Sequence, residues 1–489
     1  MTIDGHSFLC VHGHFYQPPR EDPFTGSVPR EPGAEPSHDF NEKIAADCYR
    51  PNAKLGNFGR MSFDLGPTLA SWLERWDPDT YQTIIADERA AHRRDGHGNG
   101  LAQVYGHAIM PLATDREKRI QVVWGLADFA HRFGRQAEGM WLAETAADEA
   151  TLGVLADYGV RFTVLAPWQA IEAVDASEPH WVRLADGRRI VAFFFHAELS
   201  GKVSFDYRAT TDADTFGHHA LPGYLQPDKE ASGESQLILV ASDGELYGHH
   251  QPNRDKFLSQ LLTVSAPDQG FQITGLGRYL DANPPRREVT LSGRTSWSCH
   301  HGVDRWSGDC ACCEGDGTWK SHLRQALVDL AARLDALYEA TSAAWLRDPW
   351  VAEEEYIRVL LGVEAGDRFW ERHTLRADVG RRQVFALLQS QHHRHLMFAS
   401  CAWFFDDLDR IEPRYAIANG LWALRQAELL HRVDLISDYA SALRKATSWR
   451  TGRTGFDLLH EVAARVPSLY QMGPGPLGEV RSEDLPLAV

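Results

Sequence analysis

Two segments of the chain each place an acidic residue directly after a short apolar run. Glu144 follows residues 139–143, and Asp243 closely follows the near-continuous apolar run at residues 236–241. A β-strand is expected to end at each place, and in an α/β barrel such strand ends converge on one mouth, where catalytic side chains lie. Two carboxylates that are far apart in sequence can therefore face each other, which is the minimum equipment for cleaving or transferring a glycosidic bond.

The elements that must position these carboxylates alternate between strands and helices. Apolar runs predict strands at residues 7–12, 138–142, 161–166, 189–195 and 236–241, and amphipathic patterns predict helices at residues 69–75, 79–94, 116–133 and 144–158. The last of these strands is continuously apolar, which is typical of burial on both faces in a parallel sheet. The alternation favours an α/β barrel over a sandwich. No glycine-rich turn follows the first strand, as a nucleotide-binding fold would need.

The hydrophobic period changes to that of helices from about residue 319. Residues 323–346, 352–361, 381–405 and 414–446 carry apolar side chains three and four positions apart. We predict a helical bundle there, beside the barrel or forming one wall of its cleft. The expected domains are a catalytic barrel at residues 1–290, a helical C-terminal domain at residues 291–471 that contributes to the cleft, and a flexible tail at residues 472–489.

Composition excludes some classes of partner. The formal net charge of the 489 residues is -17, which repels nucleic acid. No apolar run of about 18 residues is present, so we expect no membrane-spanning helix. Residues 1–7 lack a basic segment followed by an apolar one, and we therefore expect no secretory signal and a cytoplasmic protein.

The segments that carry the two carboxylates resemble motifs of glycoside hydrolase family 57. Residues 139–144, Gly-Met-Trp-Leu-Ala-Glu, are similar to the Trp-Leu-Pro-Glu nucleophile segment, with Ala143 in place of proline, and residues 242–249 are similar to the acid/base segment. Residues 14–18 resemble the opening His-x-His-Gln-Pro motif, with Tyr16 in place of the second histidine, and residues 105–112 resemble the second motif. Residues 296–306 and 397–406 resemble a subgroup whose helical C-terminal part is a domain of unknown function.

This resemblance implies an incomplete (β/α)7-type barrel followed by an α-helical bundle, and an enzyme that acts with retention on an α-glucan or maltooligosaccharide. Glu144 would be the nucleophile and Asp243 the general acid/base, whose pKa would have to be raised by burial or by a neighbouring negative charge. Hydrolysis, glucanotransfer and branching share the first two steps and stay open. No cofactor is implied.

Further residues are candidates for contact with the substrate. His14 and His107 can donate hydrogen bonds to sugar hydroxyls, Glu245 shares a side of an extended backbone with Asp243 and can swap roles with it, and the tryptophans can stack on glucose rings or simply pack. Glu144 itself has a structural alternative, since it can cap the following helix. The substrate-binding candidates are His14, Gln17, His107, Trp141, Glu245, His249, Trp297 and Trp306.

Two rival functions remain open at this point. The first is a metal-dependent sugar hydrolase or deacetylase on a similar barrel, with His12, His14 and Asp243 as metal ligands. The second is a catalytically silent glucan-binding protein, for which Tyr16 is the best support and the retained carboxylate pair is the main obstacle.

Four of the seven cysteines crowd into one short stretch: Cys299, Cys310, Cys312 and Cys313. Together with His300 and His301 they offer soft ligands of the kind that zinc or an iron–sulfur centre takes. The adjacency of Cys312 and Cys313 is not typical of a common zinc module. We therefore expect free or structural thiols and no metal, with a metal site and a disulfide as the alternatives.

Overall fold

The structure is a computed structural model that describes residues 6–375, 380–431 and 433–464. The expected tail at residues 472–489 lies outside them. By their contacts the described residues form two compact units. The first unit comprises residues 6–17, 30–105 and 129–300, and the second comprises residues 18–29, 106–128 and the described residues from 301 onward. The domain limits expected from the sequence stay a prediction.

The first unit contains a barrel of mostly parallel strands. The strands are β1 Ser7–Phe15, β2 Ser62–Leu65, β3 Gly100–Gln103, β4 Met140–Trp141, β5 Phe162–Leu165, β6 His180–Arg183, β7 Arg189–Phe194, β8 Gln236–Asp243, β9 Gln272–Ile273 and β10 Arg287–Val289. One sheet has the order β4-β3-β2-β1-β8, with β9 beside β1, and the other has the order β10-β6-β7-β5. Only the β6–β7 pair is antiparallel among these pairings.

Two narrow seams join the sheets into a ring. Gly139, just before β4, forms a parallel bridge with Phe162 of β5. His196, just after β7, donates its backbone N–H to the carbonyl of Leu239 in β8 at 2.7 Å. The barrel is therefore closed by seven strands, β1 to β5, β7 and β8. The β4–β5 and β7–β8 junctions are short. The predicted α/β fold, an incomplete (β/α)7-type barrel, is confirmed.

The interior of the barrel is filled by side chains from several strands. Cys10 of β1, Trp141 of β4, Phe162 of β5 and Leu239 of β8 belong to one buried apolar cluster. A Cβ atom on Gly139 would lie 2.3 Å from the ring of Phe162. Glycine at this position therefore lets β4 approach β5 closely enough to form the seam.

The helices from α1 to α11 follow the strands along the chain. They are α1 Phe40–Ile44, α2 Arg50–Lys54, α3 Pro67–Trp76, α4 Pro78–Asp95, α5 Asp115–Phe133, α6 Glu149–Asp157, α7 Ala197–Phe205, α8 Ala213–Thr215, α9 Pro227–Ser232, α10 Arg254–Gln260 and α11 Leu276–Ala282. Short π-helical segments continue some of them, at Ala45–Tyr49, Phe216–Ala220 and Leu261–Ser265.

The helix expected at residues 144–158 begins later than predicted. Glu144 and Thr145 have positive φ angles of 57° and 48°, which an α-helix cannot include. α6 starts at Glu149, and the side chain of Asp148 caps it by accepting a hydrogen bond from the Thr151 N–H. The predicted helix start was therefore wrong, and Glu144 does not serve as the helix cap.

The second unit is a helical bundle, as expected. Its helices are α12 Thr318–Ser342, α13 Pro349–Glu355, α14 Ile357–Leu360, α15 Gly366–His373, α16 Arg381–Leu396, α17 Cys401–Phe404, α18 Ile411–His431, α19 Ile436–Leu443 and α20 Gly455–Ala464. α12, α16 and α18 pack against one another. Among the described residues, no helix combines the length and the hydrophobicity needed to cross a membrane.

The single helix expected at residues 381–405 is in fact two helices. The chain turns at residues 397–400 because its backbone groups there bond to another segment. Ala399 forms a bridge with Ala108, and the N–H of Ser400 donates to the carbonyl of His107 at 2.9 Å. Hydrophobic periodicity carries no signal for such a partner.

Candidate active site

Three strands bring polar side chains to the carboxyl edge of the barrel in register. His14 of β1 pairs with Asp64 of β2 on one side and with Asp243 of β8 on the other. Residues in register on parallel strands lie at the same level of a sheet. Asp243, predicted at a strand end, is therefore directly beside His14.

Asp64 holds two histidines beneath this edge. One of its carboxylate oxygens lies 3.0 Å from His12 Nε2 and the other lies 2.9 Å from His14 Nδ1. Gln103 also donates to Asp64, and His12 Nδ1 lies 2.9 Å from the Ser62 hydroxyl. Asp64 and His12 are fully buried. The network fixes the orientation of both imidazole rings.

The charge of Asp64 determines the protonation of His14. Burial opposes a positive charge on His14, but the carboxylate of Asp64, its hydrogen bond and the more distant charges of Asp243 and Glu245 raise the pKa of His14 to about 9. Burial also opposes ionisation of Asp64, yet the two histidines hold its pKa below the usual range. At neutral pH, His14 is thus a cation within reach of the carboxylates above it.

Glu144 lies in a tight turn, Ala143–Thr145, just after β4. Its Oε2 accepts hydrogen bonds from Trp297 Nε1 at 3.0 Å and from the Ser298 hydroxyl at 2.7 Å. Burial raises the pKa of Glu144, the Ser298 bond lowers it, and the negative charge of Asp243 raises it again. The last effect means that the two predicted catalytic carboxylates are close enough to interact electrostatically.

The backbone that carries Glu144 is strained and held in place. Two consecutive residues, Glu144 and the β-branched Thr145, lie in the left-handed region, at a cost of roughly 1–3 kcal/mol each. The buried amide of Gln169 accepts a hydrogen bond from the Thr145 hydroxyl at 2.8 Å and donates one to the Thr145 carbonyl at 2.9 Å. The N–H of Trp297 donates to the Glu144 carbonyl at 3.0 Å. Such strain is typical of functional positions.

Asp243 and Glu245 have contrasting environments although they are two residues apart. Asp243 is exposed at the end of β8 and forms no hydrogen bond or ion pair with the described residues. The protein around it nevertheless desolvates the carboxyl group and raises its pKa, while the positive charges of His14 and His250 lower it. Asp243 is therefore free to meet a ligand.

Glu245 is buried behind this position. Its Oε1 accepts hydrogen bonds from the Tyr49 hydroxyl at 2.6 Å and from Gln17 Nε2 at 3.4 Å. Burial raises the pKa of Glu245 to about 7, the Tyr49 bond lowers it, and the charge of Asp243 raises it. Gln17 and Glu245, both predicted to contact substrate, thus contact each other.

Gly244 separates these two carboxylates. A Cβ atom at this position would lie 2.4 Å from ring atoms of Phe15, which is fully buried. The turn therefore sits directly on the ring of Phe15, and only glycine fits there without displacement.

Aromatic rings form a support between His14 and Glu144. The ring of Trp141 stacks on His12 and on His14, with ring centroids 4.6 and 5.2 Å apart, and meets the ring of Trp297 edge-on at 5.1 Å. Trp141 is fully buried, whereas Trp297 is only partly buried. Trp297 is therefore the ring of this group that reaches solvent.

The structure brings seven of the predicted site residues together in the first unit. They are His14, Gln17, Trp141, Glu144, Asp243, Glu245 and Trp297. His249 is engaged by Asp47, whose carboxylate lies 3.0 Å from its Nδ1. His107 and Trp306 are buried in the second unit, where His107 Nδ1 lies 2.7 Å from the Ser400 hydroxyl.

Sequence reasoning missed three residues that hold the site. Tyr49, Gln103 and Gln169 lie on segments that carry no motif, and no local pattern points to them. Ser298 lies within the segment 296–306 that resembles the family subgroup, so that segment could have indicated it.

The metal-site alternative finds little support in the geometry. The ring nitrogens of His12 face Ser62 and Asp64, and His14 Nδ1 also faces Asp64. Within the described part of the chain, His12, His14 and Asp243 do not form a group of mutually close ligand atoms.

Comparison with known families and structures places these observations in context. The model of glycosyl hydrolase family 57 matches residues 35–291, which is more than half of the chain. The model of a domain of unknown function, DUF3536, matches residues 316–463. None of the curated proteins matches the chain.

Several solved structures share the fold at low sequence identity. An exo-type maltose-forming amylase from Pyrococcus sp. ST04 has a TM-score of 0.75 at 15% identity, over 93% of this chain and 88% of that one. A branching enzyme from Pyrococcus horikoshii has a TM-score of 0.59 at 16% identity, over 98% and 100% of the two chains. A 4-alpha-glucanotransferase from Thermococcus litoralis has a TM-score of 0.52 at 15% identity, over 86% and 58%.

Proposed function

This chain belongs to glycosyl hydrolase family 57 and is therefore an enzyme that acts on glycosidic bonds. From that premise we propose that it cleaves or transfers α-glucosidic linkages of an α-glucan with retention of configuration. Glu144 is the nucleophile and Asp243 the general acid/base. The observation that carries this proposal is the electrostatic interaction between the two carboxyl groups at the carboxyl edge of the barrel, with His14 interacting with both.

In the first step, a carboxylate oxygen of Glu144 bonds to the anomeric carbon while the bond to the leaving oxygen breaks. Asp243 delivers its proton to that oxygen. Trp297 and Ser298 hold Glu144 in place for attack by donating to Oε2. The fixed backbone of the turn keeps the carboxylate in a productive position, so little reorganisation is needed during the reaction.

In the second step, water or a sugar hydroxyl attacks the glycosyl–enzyme ester, and Asp243 takes the proton of that nucleophile. The electrostatic interaction between the two carboxyl groups is consistent with this change of role. Once Glu144 is a neutral ester, an ionised Asp243 no longer faces a second carboxylate. Asp243 then ionises more readily and can act as a base.

The α-glucan substrate rests on the fold and on the accessible aromatic ring. The solved structures with this fold include a maltose-forming amylase, a branching enzyme and a 4-alpha-glucanotransferase. The ring of Trp297 is partly exposed and hydrogen-bonded to Glu144, which supports a role for it in stacking on a glucose ring. The net charge of -17 does not repel a neutral glucan, whereas it repels nucleic acid.

The cytoplasmic location of the protein stays a prediction from the sequence.

The test is product analysis with amylose, maltooligosaccharides and glycogen. Chromatography reports new chain lengths or branches, and proton NMR at early times reports the anomer that forms first. We expect α-configured products from the wild type and strongly reduced product formation from Glu144→Gln and Asp243→Asn. Glu230→Gln and Asp228→Asn are matched controls, since both residues are exposed on α9. Inverted products, or full activity in both site variants, would refute the proposal.

A further inference from the structure

The loop between residues 301 and 317 of the second unit gathers sulfur and imidazole ligands. Cys310 Sγ lies 3.3 Å from His301 Nδ1, and Cys312 Sγ lies 3.4 Å from the same nitrogen. The ligand atoms of these three residues all lie within 4.8 Å of one another. The loop has a single short helical turn, Asp304–Trp306, so the clustering is not a by-product of regular secondary structure.

These distances match a tetrahedral metal site. A thiolate about 2.3 Å and an imidazole nitrogen about 2.0 Å from Zn²⁺ lie about 3.5 Å apart when the coordination is tetrahedral. The two observed sulfur–nitrogen distances of 3.3 and 3.4 Å are close to that value. We propose that His301, Cys310 and Cys312 bind a structural Zn²⁺ ion.

The adjacency of two cysteines, which argued against zinc, is resolved by their orientations. Cys312 Sγ faces His301, whereas Cys313 Sγ accepts a hydrogen bond from Lys320 Nζ at 2.9 Å. Lys320 is fully buried near the start of α12. Cys313 is therefore engaged elsewhere and provides a control for every measurement on Cys312.

Tetrahedral coordination of zinc takes four ligands. His301, Cys310 and Cys312 of the second unit supply three of them. In the chain, His301 is followed after eight residues by the pair Cys310-x-Cys312.

Soft donors of this kind select zinc over magnesium or calcium, which prefer oxygen ligands. Each cysteine loses its thiol proton to solvent when its sulfur bonds to the ion. His301 bonds through the lone pair of neutral Nδ1, and no electron is transferred.

The loop buries few large apolar side chains, among them Val303 and Trp306. The ion therefore substitutes for a hydrophobic core in the segment that leads into α12.

The experiment uses the full chain, produced with zinc in the medium and dialysed against metal-free buffer. Elemental analysis is expected to find about one zinc ion per chain. Replacement by Co²⁺ is expected to give thiolate-to-cobalt charge-transfer absorption and the visible bands of tetrahedral cobalt. Cys310→Ser and Cys312→Ser are expected to reduce bound zinc at least about tenfold, whereas Cys313→Ser retains it.

A second measurement guards against variants that fail to fold. Titration of the wild type with a mercurial thiol reagent is expected to release zinc in step with thiol modification, as followed by a zinc-sensitive dye. Wild type that binds no zinc even after loading, that carries iron instead, or that contains a Cys310–Cys312 disulfide would overturn the proposal. Equal loss of zinc in Cys313→Ser would also overturn it. None of these outcomes depends on glycosidase activity, so the proposed function stands or falls separately.

Discussion

The ends of strands β4 and β8 each carry a carboxylate, but the chain holds the two groups in different ways. At the β4 end, Glu144 sits on a left-handed turn and accepts hydrogen bonds from Trp297 and Ser298. At the β8 end, Asp243 continues a regular strand, reaches solvent and forms no hydrogen bond with the described residues.

This difference corresponds to what double displacement asks of each carboxylate. A nucleophile has to ionise and stay fixed at one position; the donors around Glu144 fix its carboxylate and oppose the rise in its pKa that burial causes. A general acid/base has to hold, release and regain a proton, and hydrogen bonds to its anion would oppose that. A carboxyl group surrounded by protein but without donors keeps its proton more readily.

The largest effect is expected from removing the two carboxylates, and the leaving group separates their roles. Glu144→Gln should lower kcat by roughly 10⁴-fold or more with every substrate, because no nucleophile remains. Asp243→Asn should lower kcat/KM, which reports the first step, by about 10²- to 10⁴-fold with a glucan but much less with an α-glucoside of an acidic phenol, which leaves without a proton. Steady-state kinetics with both substrates checks this, and equal losses for the phenol would contradict the assignment.

The next largest effect is expected from a change that acts only on Glu144, at the end of β4. Gln169→Leu removes both hydrogen bonds to Thr145, and the turn that carries Glu144 should relax from its strained conformation. We expect kcat to fall by about 10- to 100-fold and the free energy of unfolding to fall by about 1–3 kcal/mol. Gln136→Leu, at an exposed position, is the control. Unchanged kcat in Gln169→Leu would show that catalysis does not need the hydrogen bonds between Gln169 and Thr145.

A smaller effect is expected at the β8 end. Gly244→Ala places a methyl group against the ring of Phe15, so the turn that follows Asp243 has to move. We expect kcat to fall by about tenfold with little change in KM. Gly223→Ala, where a Cβ would meet no atom within 4 Å, should have no effect. A Gly244→Ala variant with wild-type kinetics would mean that the position of this turn is irrelevant to catalysis.

The smallest effect is expected from a change in the charge of His14, which lowers the pKa of both Glu144 and Asp243. Its pKa is raised from 6.5 to about 9 in the folded chain, against the opposing effect of burial. The folded state therefore binds the proton more tightly, and this stabilisation is complete below about pH 6.5 and is lost as the pH rises through about 9. Asp64→Asn should lower the pKa of His14 and remove this pH dependence. Histidine NMR titration and unfolding at several pH values check this, and a wild-type midpoint near 6.5 would refute it.

The sequence predicted the barrel and both catalytic candidates because each of these features is local. An apolar run followed by an acid marks a strand end, and Glu144 and Asp243 lie where those runs predicted. Other contacts join segments that are remote in sequence: the hydrogen bonds between Gln169 and Thr145, and the hydrogen bond from Tyr49 to Glu245. No local pattern encodes them, and the positive φ of Glu144, a residue other than glycine, has no sequence signal either.

The central claim is that Glu144 attacks an anomeric carbon while Asp243 serves the leaving oxygen. Incubation with a fluorinated α-glucosyl fluoride, whose glycosyl–enzyme breaks down slowly, followed by proteolysis and mass spectrometry, tests it directly. The account predicts one glycosyl group, attached to Glu144 and absent in Glu144→Gln. A label on Asp243, on Glu245 or on any other residue would contradict it.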